Sequence, residues 1–175
     1  MGAKILVTGP PGCGKTTLVR RVVEKLGMPT GGFYTQEVRA GGARTGFELV
    51  TLDGRRGLLA GIGIRGRERV GKYGVDLGVL ETIGVDAVRM AIHSGALVVI
   101  DEVGPMEMRS QLFRQVVIEA LESPHPALVT MAQRSHPFLE RVRATPGARL
   151  MSVTAHNRDG LVEEIVSLLV KTEGA

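Results

Sequence analysis

Residues 9–16 read Gly-Pro-Pro-Gly-Cys-Gly-Lys-Thr, and with their flanks they constrain the fold more than any other stretch. Before them, Lys4–Thr8 is a short apolar run with strand character. After them, Leu18, Val19, Val22, Val23 and Leu26 repeat with the spacing of an amphipathic helix over 17–26. Gly27 supplies a C-cap and Pro29 stops the helix from continuing. The stretch matches G-x-x-x-x-G-K-[ST] in the strand–loop–helix context that pattern requires. Its glycines let successive backbone N–H groups turn inward around a phosphate, and the helix N-terminus adds positive potential. Lys15 can reach the β- and γ-oxygens of a bound triphosphate, and Thr16 can offer its hydroxyl to Mg²⁺. Cys13 lies in the same loop, where a helix N-terminus can lower a thiol pKa, but it reads as an incidental small residue.

Downstream the pattern changes twice. Residues 33–38 and 45–52 flank an Ala40-Gly41-Gly42-Ala43 turn, and Asp53-Gly54 marks a second turn. These read as antiparallel hairpins inserted over about residues 31–66, within which 57–66 is too glycine-rich to assign. A helix is expected over 75–93 despite Gly78 and Gly84. Ala96–Ile100 is wholly apolar, as in a strand buried on both faces of a parallel sheet. A helix over 110–122, a strand over 127–132, a short helix opened by His136-Pro137, a strand over 149–153 and a final helix capped by Asn157 or Asp159 complete the chain. The predicted fold is therefore α/β, a mostly parallel sheet flanked by helices, as one domain over residues 1–175.

Composition narrows the setting. No apolar run approaches the ~20 residues of a membrane span. A single cysteine among 175 residues cannot form an internal disulfide, which fits a reducing cytoplasm. The strand-like start leaves no room for a signal peptide, and a monomer is expected. Residues 39–72 hold eight Arg/Lys against three acids, a net +5, whereas the rest of the chain, with 14 basic and 15 acidic groups, sums to −1. That segment is either a face for phosphates or another anion, or a solvated surface. Aromatics are only 3% of the chain, so nucleic acid as a partner has little to stack on and no support in the sequence.

Asp101 and Glu102 end the apolar run Leu97–Ile100, at the strand edge where α/β sheets take ligands. Asp101 is placed to accept from a Mg²⁺-bound water, which with Thr16 makes the predicted metal pair. Glu102 is placed to orient or deprotonate a water attacking the γ-phosphate, so Glu102 and Lys15 are the predicted catalytic residues. No Asn-Lys-x-Asp run is present to read guanine, and strong base selectivity is unsupported. Two other readings compete with triphosphate hydrolysis: a small-molecule or nucleoside kinase with 39–72 as a lid, and a nucleotide-gated RNA- or partner-binding module. Glu102 favours hydrolysis, since a kinase activates an acceptor rather than water.

Further motifs sharpen this. The loop through Thr17, Gly32-Phe33-Tyr34-Thr35-Gln36-Glu37-Val38-Arg39, Arg44-Thr45-Gly46-Phe47, Gly71–Leu77, Asp101–Glu107 and Asn157-Arg158-Asp159 together resemble the cancer-related nucleoside-triphosphatase family of thermophilic prokaryotes and animals. The resemblance covers about residues 4–170. It implies a RecA-like P-loop domain and Mg²⁺-dependent hydrolysis of ATP, GTP, CTP, UTP or TTP to the diphosphate. The implied nucleotide contacts are Gly9, Pro10, Pro11, Gly12, Cys13, Gly14, Lys15, Thr16 and Thr17. One position departs: Pro105 stands where the family usually has lysine. Arg109, Arg134, Arg141 and Arg158 are the candidate replacement cations. Thr130 and Gln133 are candidate γ-phosphate sensors, Asn157 and Arg158 candidate base or ribose contacts, and the four histidines show no metal-ligand spacing.

Overall fold

A computed structural model describes residues 1–171. Among the described residues nine strands form one mixed sheet in the order β5-β6-β4-β3-β2-β7-β8-β1-β9. Its parallel half is β1 (Lys4–Gly9), β7 (Leu97–Val103), β8 (Ala127–Ala132) and β9 (Arg149–Ser152), joined at one edge by the start of β2 (Thr30–Ala40). The mostly parallel, helix-flanked α/β core is as expected from the sequence. Strand alternation sends Ile5, Val7, Leu97 and Val99 to one face and Leu6, Val98, Ile100 and Val129 to the other. The first face is covered by α1 (Lys15–Leu26) and α6 (Arg158–Lys171), through Leu18, Val22, Ile165 and Leu169. The second is covered by α3 (Asp86–Ser94), α4 (Gln111–Glu122) and α5 (Pro137–Arg143).

The antiparallel part begins later and runs further than the expected 31–66, and it is not a separate insert. Thr30–Phe33 pair in parallel with Leu97–Ile100, and the same strand then pairs antiparallel with β3 (Ala43–Thr51) from Phe33 to Ala40. The unassigned stretch becomes β4 (Arg56–Gly61), where Leu59 and Ala60 are buried, and the short β5 (Arg69–Val70) and β6 (Tyr73–Val75) carry the sheet to Val75. The expected helix over 75–93 forms over 77–94, as α2 (Leu77–Val79), a π segment (Leu80–Val85) and α3. Gly84 suits the close approach there: a Cβ on it would lie 2.9 Å from Leu49 Cδ1, so a larger residue would have to displace the end of that side chain.

Local chemistry fixes the ends of the helices near the site. Ser110 Oγ accepts from the Phe113 N–H at 3.0 Å to start α4. His136 Nδ1 accepts from the Phe138 N–H at 3.1 Å with Pro137 at the first turn of α5. The buried Lys4 ammonium donates to Ala120 O at 3.1 Å, Ser123 O at 2.8 Å and His125 O, closing the C-terminus of α4 onto the start of β1. Among the described residues no helix is long and apolar enough to cross a membrane.

Candidate functional site

The loop between β1 and α1 holds the geometry its glycines allow. Gly12 and Gly14 sit at φ 76° and 95°, the left-handed region, and Gly14 opens α1 with no side chain capping it. The first N–H groups of α1 are thus left for a ligand. Lys15 folds back over the loop: its ammonium donates to Gly9 O at 3.0 Å and Pro10 O at 3.5 Å and lies 3.9 Å from Glu102 Oε2.

Asp101 is 1% exposed and held on both oxygens. Oδ2 accepts from Thr16 Oγ1 at 2.6 Å, Oδ1 accepts from Thr130 Oγ1 at 2.5 Å, and the Thr35 backbone N–H adds a further bond. Burial pushes its pKa up, opposed by Thr130, Thr16 and Lys15. Burial likewise raises Glu102, and Lys15 resists the rise. The structure therefore brings Lys15, Thr16, Asp101 and Glu102 together along one cavity of about 420 Å³, with Thr17 and the loop glycines Gly12 and Gly14 on its wall. The sensor candidates do not line it. Thr130 is fully buried and spent on Asp101, and Gln133 is exposed beyond the end of β8. Cys13 is buried, 8% exposed, and packs with Val153 and Leu161 in the core on the α1–α6 face.

The opposite wall was not read from the sequence. It consists of Thr35, Gln36 and Glu37 from β2 with Arg44 and Phe47 from β3. Arg44 lies 5.1 Å over the Phe47 ring, donates from Nε to Tyr73 OH at 3.0 Å and pairs with Glu37 at 3.0 Å. Its segment contributed to the family resemblance without suggesting this place. Of the two readings of 39–72, an anion face or a solvated surface, local ion pairs favour the second for part of the segment. Arg39 pairs with Glu37, Arg55 with Asp53 and Asp86, and Arg56 with Glu48.

Of the four arginines proposed to replace the family lysine, three lie elsewhere. Arg109, paired with Glu68 at 2.9 Å, lines a separate cavity of about 370 Å³ with Arg134 and Pro105. Arg141 borders a groove along α4 with Gln115 and Ile118. Only Arg158 reaches the glycine loop, where a Cβ on Gly14 would sit 2.5 Å from its Nη1. Asn157 stands at the N-cap position of α6, its carbonyl accepting from the Leu161 N–H at 3.0 Å, and its side chain turns to the preceding loop. Its Oδ1 accepts from the Thr154 N–H at 2.7 Å and its Nδ2 donates to Ser152 O at 2.9 Å, bracing the β9–α6 loop.

Glu107 is a second buried acid, besides Asp101, that the sequence did not single out. A Cβ on Gly104 would be 2.9 Å from both Glu102 Oε1 and Glu107 Oε2, so the two carboxyls face each other across a glycine-sized gap. Burial, then the Glu102 charge, pushes Glu107 from 4.5 up to about 8. Between those values the folded protein keeps a proton that the unfolded chain has released, so stability falls as pH rises. The slope from this group approaches about 1.4 kcal/mol per pH unit. Glu107→Gln is expected to remove it: in metal-free buffer the Tm advantage of the variant over wild type grows from pH 5 to pH 8. Parallel Tm–pH curves would contradict a buried, protonated Glu107.

The comparisons with known proteins give the family and the fold. A family model described as NTPase matches residues 4–166. The chain is 42% identical to "Nucleoside-triphosphatase THEP1" of Thermotoga petrophila, over 98% of this chain and 95% of that protein. It is also 42% identical to "Cancer-related nucleoside-triphosphatase homolog" of Bos taurus, covering 95% and 96% of the two chains. Among solved structures, THEP1 from Aquifex aeolicus superposes with a TM-score of 0.88 at 37% identity, over 95% of this chain and 98% of that one. A human cancer-related nucleoside triphosphatase gives 0.81 at 39% identity, over 94% and 96%.

Proposed function

The chain belongs to the NTPase family whose model spans residues 4–166, and from that premise we propose that it hydrolyses nucleoside 5′-triphosphates to diphosphate and phosphate, with Mg²⁺ and little selectivity among bases. The observation that carries this reading is the convergence on one cavity of Lys15, 3.9 Å from Glu102, and Thr16, 2.6 Å from Asp101.

The residues suit Mg²⁺. Two carboxylates, the buried Asp101 and the half-buried Glu102, face one ammonium, that of Lys15, so the site is short of positive charge, and Thr16 and Asp101 offer the hard oxygens this ion prefers. No cluster of three or more His, Cys, Asp or Glu able to hold a metal occurs among the described residues. An ion held by Thr16 and Asp101 would therefore draw its other ligands from phosphate and water. Bound there, it supplies charge neutralisation at the β- and γ-oxygens.

The rest is the work of the chain. N–H groups of the glycine loop and the first turn of α1 hold the phosphates. Lys15 exchanges the Gly9 and Pro10 carbonyls for phosphate oxygens. Glu102, made more basic by burial, takes the proton of a water as its oxygen bonds to the γ-phosphorus. The bond from that phosphorus to the bridging oxygen breaks, and the electron pair leaves on the diphosphate.

Phosphate release measured with Mg²⁺ and no acceptor tests the reading. ATP, GTP, CTP and UTP are expected to fall within ~30-fold in kcat/KM, or about 2 kcal/mol of base discrimination. A spread of ~10³ would reveal a base-reading pocket, and no release without an acceptor would overturn hydrolysis itself.

A further inference from the structure

We infer that Arg158 is the platform on which the nucleoside half of the substrate lies, gripping the base by its face rather than reading its edge. The inference rests on the nucleotide site proposed above and adds a positioning residue to it. Arg158 is the first residue of α6, directly beyond the β9–α6 loop. Its side chain lies against the glycine loop: a Cβ on Gly14 would meet Nη1 at 2.5 Å, Cδ at 3.0 Å and Cζ at 3.4 Å.

The guanidinium is placed there without a hydrogen-bonding reason inside the protein. Nε is buried and has no hydrogen-bond partner among the described residues. The nearest carboxylate oxygen, Asp159 Oδ1, stands 4.0 Å from Nε and is itself paired with Arg21. With its donor unpartnered beside the glycine loop, the guanidinium is committed to no group of the protein.

Strand order decides which part of the ligand. Along the sheet β7, β8, β1 and β9 are successive neighbours. Asp101 and Glu102 end β7, two strands from β1 on one side, whereas Arg158 follows β9 on the other. With water activation at the β7 side, the phosphate chain runs across the β1 loop and its nucleoside end emerges toward β9. Arg158 is thus at the wrong end to neutralise charge at the γ-phosphorus, and at the right end to meet the nucleoside.

The chemistry of that meeting is stacking. A guanidinium plane packs against the π-face of any base and distinguishes bases weakly. The polar neighbour that could have read a base edge, Asn157, has its amide committed to Thr154 and Ser152. A site with a face-on grip and no edge reader takes nucleotides as a class.

Calorimetry with the Mg²⁺ complexes of ADP and CDP, and with Mg²⁺-tripolyphosphate, separates the possibilities. Arg158→Ala is expected to weaken both diphosphates at least tenfold and to leave tripolyphosphate, which has no nucleoside, within threefold. Arg158→Lys keeps the charge but loses the plane, and is expected to behave as Arg158→Ala does; it also guards against a folding defect in the alanine variant. KM rises tenfold for all four triphosphates with kcat within threefold. Equal losses for tripolyphosphate, or rescue by lysine, would make Arg158 a phosphate contact and overturn the inference. So would a fall in kcat at constant KM, or unchanged diphosphate affinity. Wild-type protein that bound none of the three ligands would overturn the nucleotide site itself, a failure distinct from that of Arg158.

Discussion

Glu102→Gln lowers kcat by ~10²–10⁴-fold, the usual worth of a positioned general base, while nucleotide affinity stays level or tightens slightly. Glutamine keeps the size and hydrogen-bonding reach of the side chain and removes its basicity. Two features of the site set the direction of the affinity change. Glu102 is the ion-pair partner of Lys15 at 3.9 Å, so its neutralisation releases the ammonium for phosphate. It also lines the same cavity as the glycine loop, where its negative charge repels an incoming triphosphate. Steady-state kinetics with a parallel measurement of nucleotide affinity checks both parts. Near-normal hydrolysis by the variant would move the base to another residue.

Lys15→Ala removes turnover, by ~10³-fold or more, since it deletes the one ammonium aimed at the charge that develops in the transition state. The structure adds a modest cost to folding. Lys15 donates to Gly9 O at 3.0 Å and stands against Glu102, so it braces the loop before any ligand arrives. Loss of such a bond costs about 1 kcal/mol, or a Tm fall of about 2–4 °C in a chain of this length. Activity within tenfold of wild type, in a protein melting near wild type, would remove the phosphate-site assignment.

What the sequence showed plainly was whatever depends on neighbours along the chain. The apolar runs of β1, β7 and β8, the helical stripes of α1 and α4, the Pro137 start of α5 and the glycine loop each announce themselves within ten residues. What it hid depends on distant partners. Gly57–Gly61 gives no periodic signal, and becomes a strand because β3 and β6 flank it with open edges. Arg44 reaches the cavity only because β2 and β3 fold back with Arg39 opposite Arg44. Thr130 looked like a ligand sensor at a strand end, but parallel pairing of β7 with β8 sets it against Asp101. Glu107 is a charged letter in the chain, and only the fold reveals that water does not reach it.

The double pairing of β2 has a mechanical meaning. One strand is a member of the parallel core at Thr30–Phe33 and the wall of the cavity at Thr35–Glu37, and its Thr35 N–H is bonded to Asp101. A beam clamped at its root does not hinge there. Its pairing with β3 is regular up to Val38, where the register slips. The segment that walls the cavity, Thr35–Glu37, lies between that clamp and the slip, in unbroken register with β3, whereas Arg39 and Arg44 sit on the cantilever's tip beyond it.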